Sequence, residues 1–310
     1  HAATLEERVD GLVNEGFEYA DRALPALKKL QREHAANRED QRVLLQAIGS
    51  VEAQAGNATQ AGAVAEQLLA LSHDDPSGRA VASSNLVRAL VAENAGQLDI
   101  AAALAQSALP AFRAGCAPPD TKPGADTMPS ACDYRSAWLA LRILARRART
   151  LGISVSETSH GESALALAEG AGDIRRQSET LNQLAIPAQE RGEVDAAQRH
   201  MAKAKRLAVQ AGDPVLQARS SNTEAWLTSL RGDHKTAARL MEEALALAIL
   251  ADAPRLEATM LSNLTDAYAR LGRPADALRA AERALPIVRS RNDLRAERAL
   301  INNAGIAKIG

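Results

Sequence analysis

The sequence predicts an all-α fold, a right-handed α-solenoid of about seven helix-turn-helix repeats with a 40-residue period, plus a half repeat. Three observations predict it. Hydrophobic residues make up 46% of the chain but aromatics only 2%, so the core must be alanine and leucine packed at close range, a composition that favours helix. Within 263–285, Leu264, Ala267, Tyr268 and Leu271 recur at helical spacing before Gly272, and Ala277, Ala281, Ala284 and Leu285 recur after it; the stretch reads as two helices joined where glycine frees the backbone to turn. One such hairpin cannot bury its own apolar face, and copies are present. A step of 40 residues carries Gly272 to Gly232 and Gly192, Ala277 to Ala237 and Ala197, and Ala284 to Ala244 and Ala204.

In chain order, residues 4–37 read as a degenerate first pair. Gly16 lies one period before Gly56, Asp21 replaces the expected alanine, and Pro25 interrupts the second helix; a terminal repeat departs this way because it stacks on one side only. Pair two occupies residues 40–71 around Gly56 and ends at the breaker Ser72-His-Asp-Asp-Pro76. Pair three spans 77–113 around Gly96, where Ala101 and Ala108 take the alanine positions. From Gly96 to Gly152 the step is 56 instead of 40, so 16 residues are inserted. The insertion, at 115–133, is polar, contains four prolines and reads as loop. The chain's two cysteines, Cys116 and Cys132, bracket it at a separation equal to the inserted length. A disulfide between them restores the spacing of the solenoid, and closing a loop of about 15 residues contributes about 3 kcal/mol in the chain-entropy model. It implies an oxidising compartment, periplasmic or extracellular; two reduced thiols in a cytoplasmic protein are the alternative. Pair four covers 134–169, with Glu157 at the alanine position and Ser159-His-Gly-Glu162 read as a capping box that starts its second helix late. Pairs five, six and seven begin near Ile174, Pro214 and Pro254, with Asp173, Asp213 and Asp293 at junctions and Pro187 expected to kink a first helix.

The pattern Asn-Leu-x-x-Ala-Tyr-x-x-x-Gly-x-x-x-x-Ala-Leu-x-x-x-x-x-Ala-Leu, read from Asn263 to Leu285, resembles the tetratricopeptide repeat. The resemblance covers nearly all of the chain and treats 1–310 as a single domain. It departs in period, since that family repeats at about 34 residues and a period near 40 also suits HEAT-type repeats; the glycine joint and the two alanines beyond it favour the tetratricopeptide reading. The final 302–310 segment repeats the start of the Asn263 helix and stops before its turn, which reads as a piece of a longer protein. His1-Ala2-Ala3 reads as a remnant of processing or of cloning.

The net charge of −1 supplies no global attraction to nucleic acid or acidic membranes, and no apolar run approaches the roughly 18 residues of a membrane helix. The six histidines, His1, His34, His73, His160, His200 and His234, show no metal-ligand spacing. No phosphate-cradling loop or nucleophile–base arrangement is visible, so the expectation is a non-enzyme without cofactor or metal.

The resemblance implies that the first helix of each pair lines a concave groove, at positions thirteen, ten, nine, six and three before each joint glycine. Ten before come Arg142, Asn182, Asn222, Ser262 and Asn302, with Asn263 one position later. Asparagines in such a row suit an extended peptide, because an amide both donates to and accepts from backbone; the alternative is that they bond within the repeat. Arg142, Arg146 and Arg149 form an i, i+4, i+7 stripe flanked by Arg147. It reads as an anion site or as a solvated face compensated by Glu179 and Glu190. Trp226, six before Gly232, is a groove platform or core, and Trp138 is packing. The expected function is a binding or sensing module for a peptide, protein or small anionic ligand, with a homodimer among its assemblies. The resemblance points to the periplasmic input portion of a bacterial membrane signalling protein of the diguanylate cyclase type. A cytoplasmic peptide-responsive regulator and an envelope assembly scaffold are the rival readings.

Overall fold

The computed structural model describes residues 3–116, 132–290 and 294–309. His1, the interior of the predicted insertion and Asp293 lie outside them. The chain forms two compact units, His1–Gly172 and Asp173–Gly310. The first contains α1 (Leu5–Glu18), α2 (Ala20–Glu33), α3 (Arg38–Gln54), α4 (Ala58–Ala70), α5 (Arg79–Asn94), α6 (Leu98–Arg113), α7 (Tyr134–Thr150) and α8 (Ser154–Gly170). The second contains α9 (Ile174–Glu190), α10 (Val194–Gln210), α11 (Pro214–Leu230), α12 (His234–Leu250), α13 (Pro254–Arg270), α14 (Pro274–Ser290) and α15 (Leu294–Ile309). Among the described residues there is no strand. The fold is an all-α helical-repeat solenoid, as the 40-residue period predicts.

The period resolves into two equal halves. From α7 to α14 every helix is 17 residues long, and from α7 to α13 each is followed by the same three-residue turn, so the joints between pairs repeat the joints within them. At Gly152 (φ 70°) the chain turns left-handed. Leu151 N–H donates to the Arg147 carbonyl at 3.1 Å and Ile153 N–H to the Ala148 carbonyl at 2.9 Å, which closes the helix end. The same conformation recurs at Gly172, Gly192, Gly212, Gly232 and Gly272. At the equivalent of Gly212 stands Asp252 with φ 49°, a substitution that conceals the half-period in the sequence. Asp133, Asp173, Asp213 and Asp233 then cap the helices that follow, each side chain accepting from backbone N–H groups two or three residues on. The residues in excess of a 34-residue repeat therefore lengthen the helices and leave the turns short.

The alanines at Ala197, Ala204, Ala237, Ala244, Ala277 and Ala284 are sealed from solvent, which lets the two helices of each hairpin approach closely. In the first unit glycine extends this to neighbouring first helices. A Cβ on Gly49 of α3 would meet both γ-carbons of Val87 at 2.8 Å, and one on Gly16 of α1 would meet those of Val51 at 2.7 and 2.8 Å. Gly16 is therefore a helix-packing residue, and the first joint lies instead at Tyr19. The period aligned Gly16 with the joint glycines because glycine serves both purposes.

Two further sequence expectations are corrected. Helix α2 runs through Pro25, because Ala23, Leu27 and Leu30 are buried on either side of it and that packing outweighs one lost backbone bond. Helix α8 starts at Ser154, so Ser159 and Glu162 lie within it and form no capping box; the turn completed at Gly152 sets its start. The predicted breaker holds: a short 3₁₀ turn (Leu71–Asp74) precedes Asp75, whose carboxylate accepts from the N–H groups of Ser77 at 2.9 Å and Ala80 at 2.7 Å.

Cys116 and Cys132 form a disulfide, with Cα atoms 4.5 Å apart. The Asp133 N–H donates to the Phe112 carbonyl at 3.2 Å, so the end of α6 and the start of α7 meet at the base of the insertion. Two stability predictions follow from this packing. Gly49→Ala destabilises the chain by about 1–3 kcal/mol through overpacking, whereas Gly62→Ala in α4, where an added Cβ meets nothing within 4 Å, stabilises it by about 0.5–1 kcal/mol. Denaturant titration checks the opposite signs. Replacing both cysteines by serine lowers stability by about 3 kcal/mol, and an unfolding midpoint indifferent to the replacement contradicts the staple.

Candidate functional site on the first-helix faces

In the first unit the groove residues expected from the sequence, Arg142, Arg146 and Arg149, all lie on the first helix α7. Arg142, Arg146 and Arg149 project from one side of α7, while Ala137, Leu141, Leu144 and Ala148 on its other sides are buried. Sequence reasoning looked forward for compensating acids, to Glu179 and Glu190. In the structure the stripe is met by acids of the preceding pair and of its own hairpin. Arg142 Nη2 donates to Glu93 Oε2 at 3.3 Å and Arg146 Nη1 to Glu93 Oε1 at 3.0 Å. Arg149 lies 3.9 Å from Glu157 of α8, and Arg147 bonds Asp99 of α6 at 2.8 Å. Glu179 instead closes on Arg175 of its own helix at 3.8 Å.

The geometry of the Glu93 pair is graded. The Glu93 side chain is 7% exposed, that of Arg142 28% and that of Arg146 41%. The carboxylate therefore forms a floor and the guanidiniums a rim. Arg142 Nε is buried without a hydrogen-bond partner. Glu93 stands three before Gly96, one of the five groove positions, so the register itself carried the signal for it.

A second network, centred on Arg42, which stands off the register, joins the same helices nearer their starts. Arg42 of α3 is 4% exposed. It bonds Glu39 through Nε at 3.0 and 3.1 Å, Ser83 of α5 at 2.8 Å and Asp133 at 3.0 Å. Burial opposes the charge on Arg42, but hydrogen bonds and charge contacts with Glu39 and Asp133 outweigh it and hold the guanidinium proton more tightly than usual. Gln46 extends the network, donating to Ser136 of α7 at 2.7 Å and accepting from Ser83 at 2.6 Å. A buried guanidinium stripped of one partner is strongly destabilised, so this network locks the start of α7, and with it the arginine stripe, to α3 and α5.

In the second unit the asparagines divide into three kinds. Asn182 of α9 is 6% exposed and donates to Ser220 of α11 at 3.0 Å, a bond between neighbouring first helices. Asn222 of α11 and Asn263 of α13 are half-buried and meet each other, Asn263 Nδ2 donating to Asn222 Oδ1 at 2.8 Å. Asn302 is exposed on α15. Trp226 is half-buried against Ala185, Met201 and Leu227, and Trp138 is buried. Tyr268, part of the repeat pattern, donates its hydroxyl to Glu242 at 2.7 Å; burial, then this bond, pushes its pKa up to about 12.

Among the described residues no group of three or more His, Cys, Asp or Glu is placed to hold a metal ion, and no helix is long and apolar enough to cross a membrane. The arrangement offers guanidinium and amide hydrogen-bonding groups on first helices.

No family model matches the chain, and no curated protein sequence matches it. Solved structures do. A Rap protein complexed with Competence and Sporulation Factor aligns with TM-score 0.65 at 13% identity, over 98% of this chain and 88% of its own. The APC/C hetero-tetramer Cut9-Hcn1 aligns with TM-score 0.58 at 15% identity, over 98% of this chain and 49% of its own. A STAND protein with a tetratricopeptide repeat sensor, PH0952 from Pyrococcus horikoshii, aligns with TM-score 0.54 at 14% identity, over 95% and 43% respectively. The chain has the fold of the tetratricopeptide-repeat solenoids.

Proposed function

We propose that the chain is a binding and sensing module, without chemistry of its own, that takes an extended peptide on the first-helix faces of its second unit and an acidic group on those of its first. The observation that carries this reading is the Asn222–Asn263 pair. Each amide has one donor end and one acceptor end, and the pair spends one of each on itself. Whichever way the two amides are oriented, one NH₂ and one carbonyl oxygen remain, on adjacent repeats and half-exposed. That is the complement of a peptide unit, which presents one carbonyl and one N–H. Asn302 offers a further exposed amide on α15, and Trp226 and Asn182 hold the neighbouring helices in place.

In the first unit Arg142, Arg146 and Arg149 supply a separate element, guanidiniums that read an acidic group. The disulfide favours an oxidising compartment. Together with the resemblance to periplasmic sensor arrays, it supports placing the module outside the cytoplasm, as the input portion of a signalling protein of the diguanylate cyclase type. The similarity to a Rap protein complexed with Competence and Sporulation Factor and to a STAND protein with a tetratricopeptide repeat sensor supports ligand recognition by the array.

Selection of binders from a displayed library of random peptides tests the reading. For a selected peptide, Asn222→Ala with Asn263→Ala weakens binding by about tenfold or more, as expected for two lost hydrogen bonds of about 1 kcal/mol each. Arg142→Ala with Arg146→Ala weakens binding of acidic peptides at least as much. Affinities unchanged in both double variants contradict it.

A further inference from the structure

We propose that Glu93 is a built-in counter-ion that sets the valence of the anion read by Arg142 and Arg146, selecting a carboxylate monoanion over a dianion such as phosphate. The inference rests on the arginine stripe being an anion site, and deepens it. Both oxygens of Glu93 are engaged, Oε1 by Arg146 and Oε2 by Arg142, so one carboxylate spaces two guanidiniums. Each guanidinium has five N–H donors and gives one of them to Glu93. The two arginine side chains are more exposed than the glutamate they flank, 28% and 41% against 7%, so a ligand from solvent meets the guanidiniums before the carboxylate.

Charge then decides the ligand. Arg147 and Arg149 have acids of their own in Asp99 and Glu157. Two guanidiniums on one carboxylate leave a single uncompensated positive charge. A monoanion neutralises it. A dianion leaves net negative charge beside a carboxylate almost sealed from water, where screening is weak. The remaining donors of two fixed guanidiniums suit the two oxygens of a second carboxylate. If Glu93 were only a clip between α5 and α7, neutralising it would change stability and leave anion preference untouched.

The test follows the arginine Nε–Hε resonances of Arg142 and Arg146 in the full chain at constant ionic strength. The probes are sodium acetate, inorganic phosphate at about pH 8 where its dianion dominates, and a peptide blocked at both ends with one internal glutamate. The expected result is that acetate or the glutamate peptide shifts both resonances at concentrations about tenfold below phosphate. A stronger response to the peptide than to acetate assigns the carboxylate to a peptide side chain, and equal responses assign it to a free acid. In Glu93→Gln, which keeps the shape and removes the charge, phosphate gains about tenfold and the order reverses. Phosphate preferred by the wild-type chain, or an order unchanged in Glu93→Gln, overturns the proposal while leaving the anion site standing. Silence of both resonances toward all three probes overturns the anion site itself. If Glu93→Gln fails to fold, the order of the probes on the wild-type chain decides alone.

Discussion

The structure depends on how closely its helices can approach one another. With aromatics at 2% of the chain, the core has few large plates to fill wide gaps, so it closes the gaps instead. Alanines with no exposed surface line the hairpin contacts, and Gly16 and Gly49 admit valine methyls where even a Cβ would collide. Interiors packed at this density respond to single methylenes. Close approach needs helices of matched length that turn within a fixed number of residues. The run of 17-residue helices from α7 to α14, joined by three-residue left-handed turns, meets that need.

A scaffold this uniform releases the first-helix faces for polar residues. In the first unit those faces hold two charge networks of different character. The one around Arg42 centres on a nearly sealed guanidinium and holds α7 against α3 and α5. The one around Glu93 is graded from a sealed acid to half-open guanidiniums, and its charge does not close. The first is a lock, and the second, the proposed anion site, is held in position by it. The disulfide lies beside the lock, since Cys132 precedes Asp133, the residue that both caps α7 and pairs with Arg42.

The helical class, the 40-residue register and the cysteine pairing were legible because each rests on spacing along the chain. The 20-residue half-period was concealed by Asp252, which adopts a left-handed conformation where the register otherwise places glycine. Gly16 misled because a glycine that permits a turn and one that permits close packing look alike in sequence. Pro25 and the Ser159–Glu162 box misled because local signals were outweighed by burial and by the turn at Gly152. Glu93 lay on a groove position yet drew no notice, since one acid among many gains meaning only from the two arginines folded onto it. Arg42 lay off the register altogether, and its partners, from Glu39 to Asp133, are scattered over 94 residues of chain. Spacing reveals scaffold; ion pairs between distant helices are three-dimensional facts.

The central claim is that recognition belongs to the first helices and the second helices are scaffold. The most direct measurement follows the side-chain amide resonances of Asn222 and Asn263 during titration with a library-selected peptide. The account predicts that both shift together and saturably, while resonances of α12 and α14 stay in place. Unmoved asparagine amides with shifts confined to α12 and α14 would contradict it.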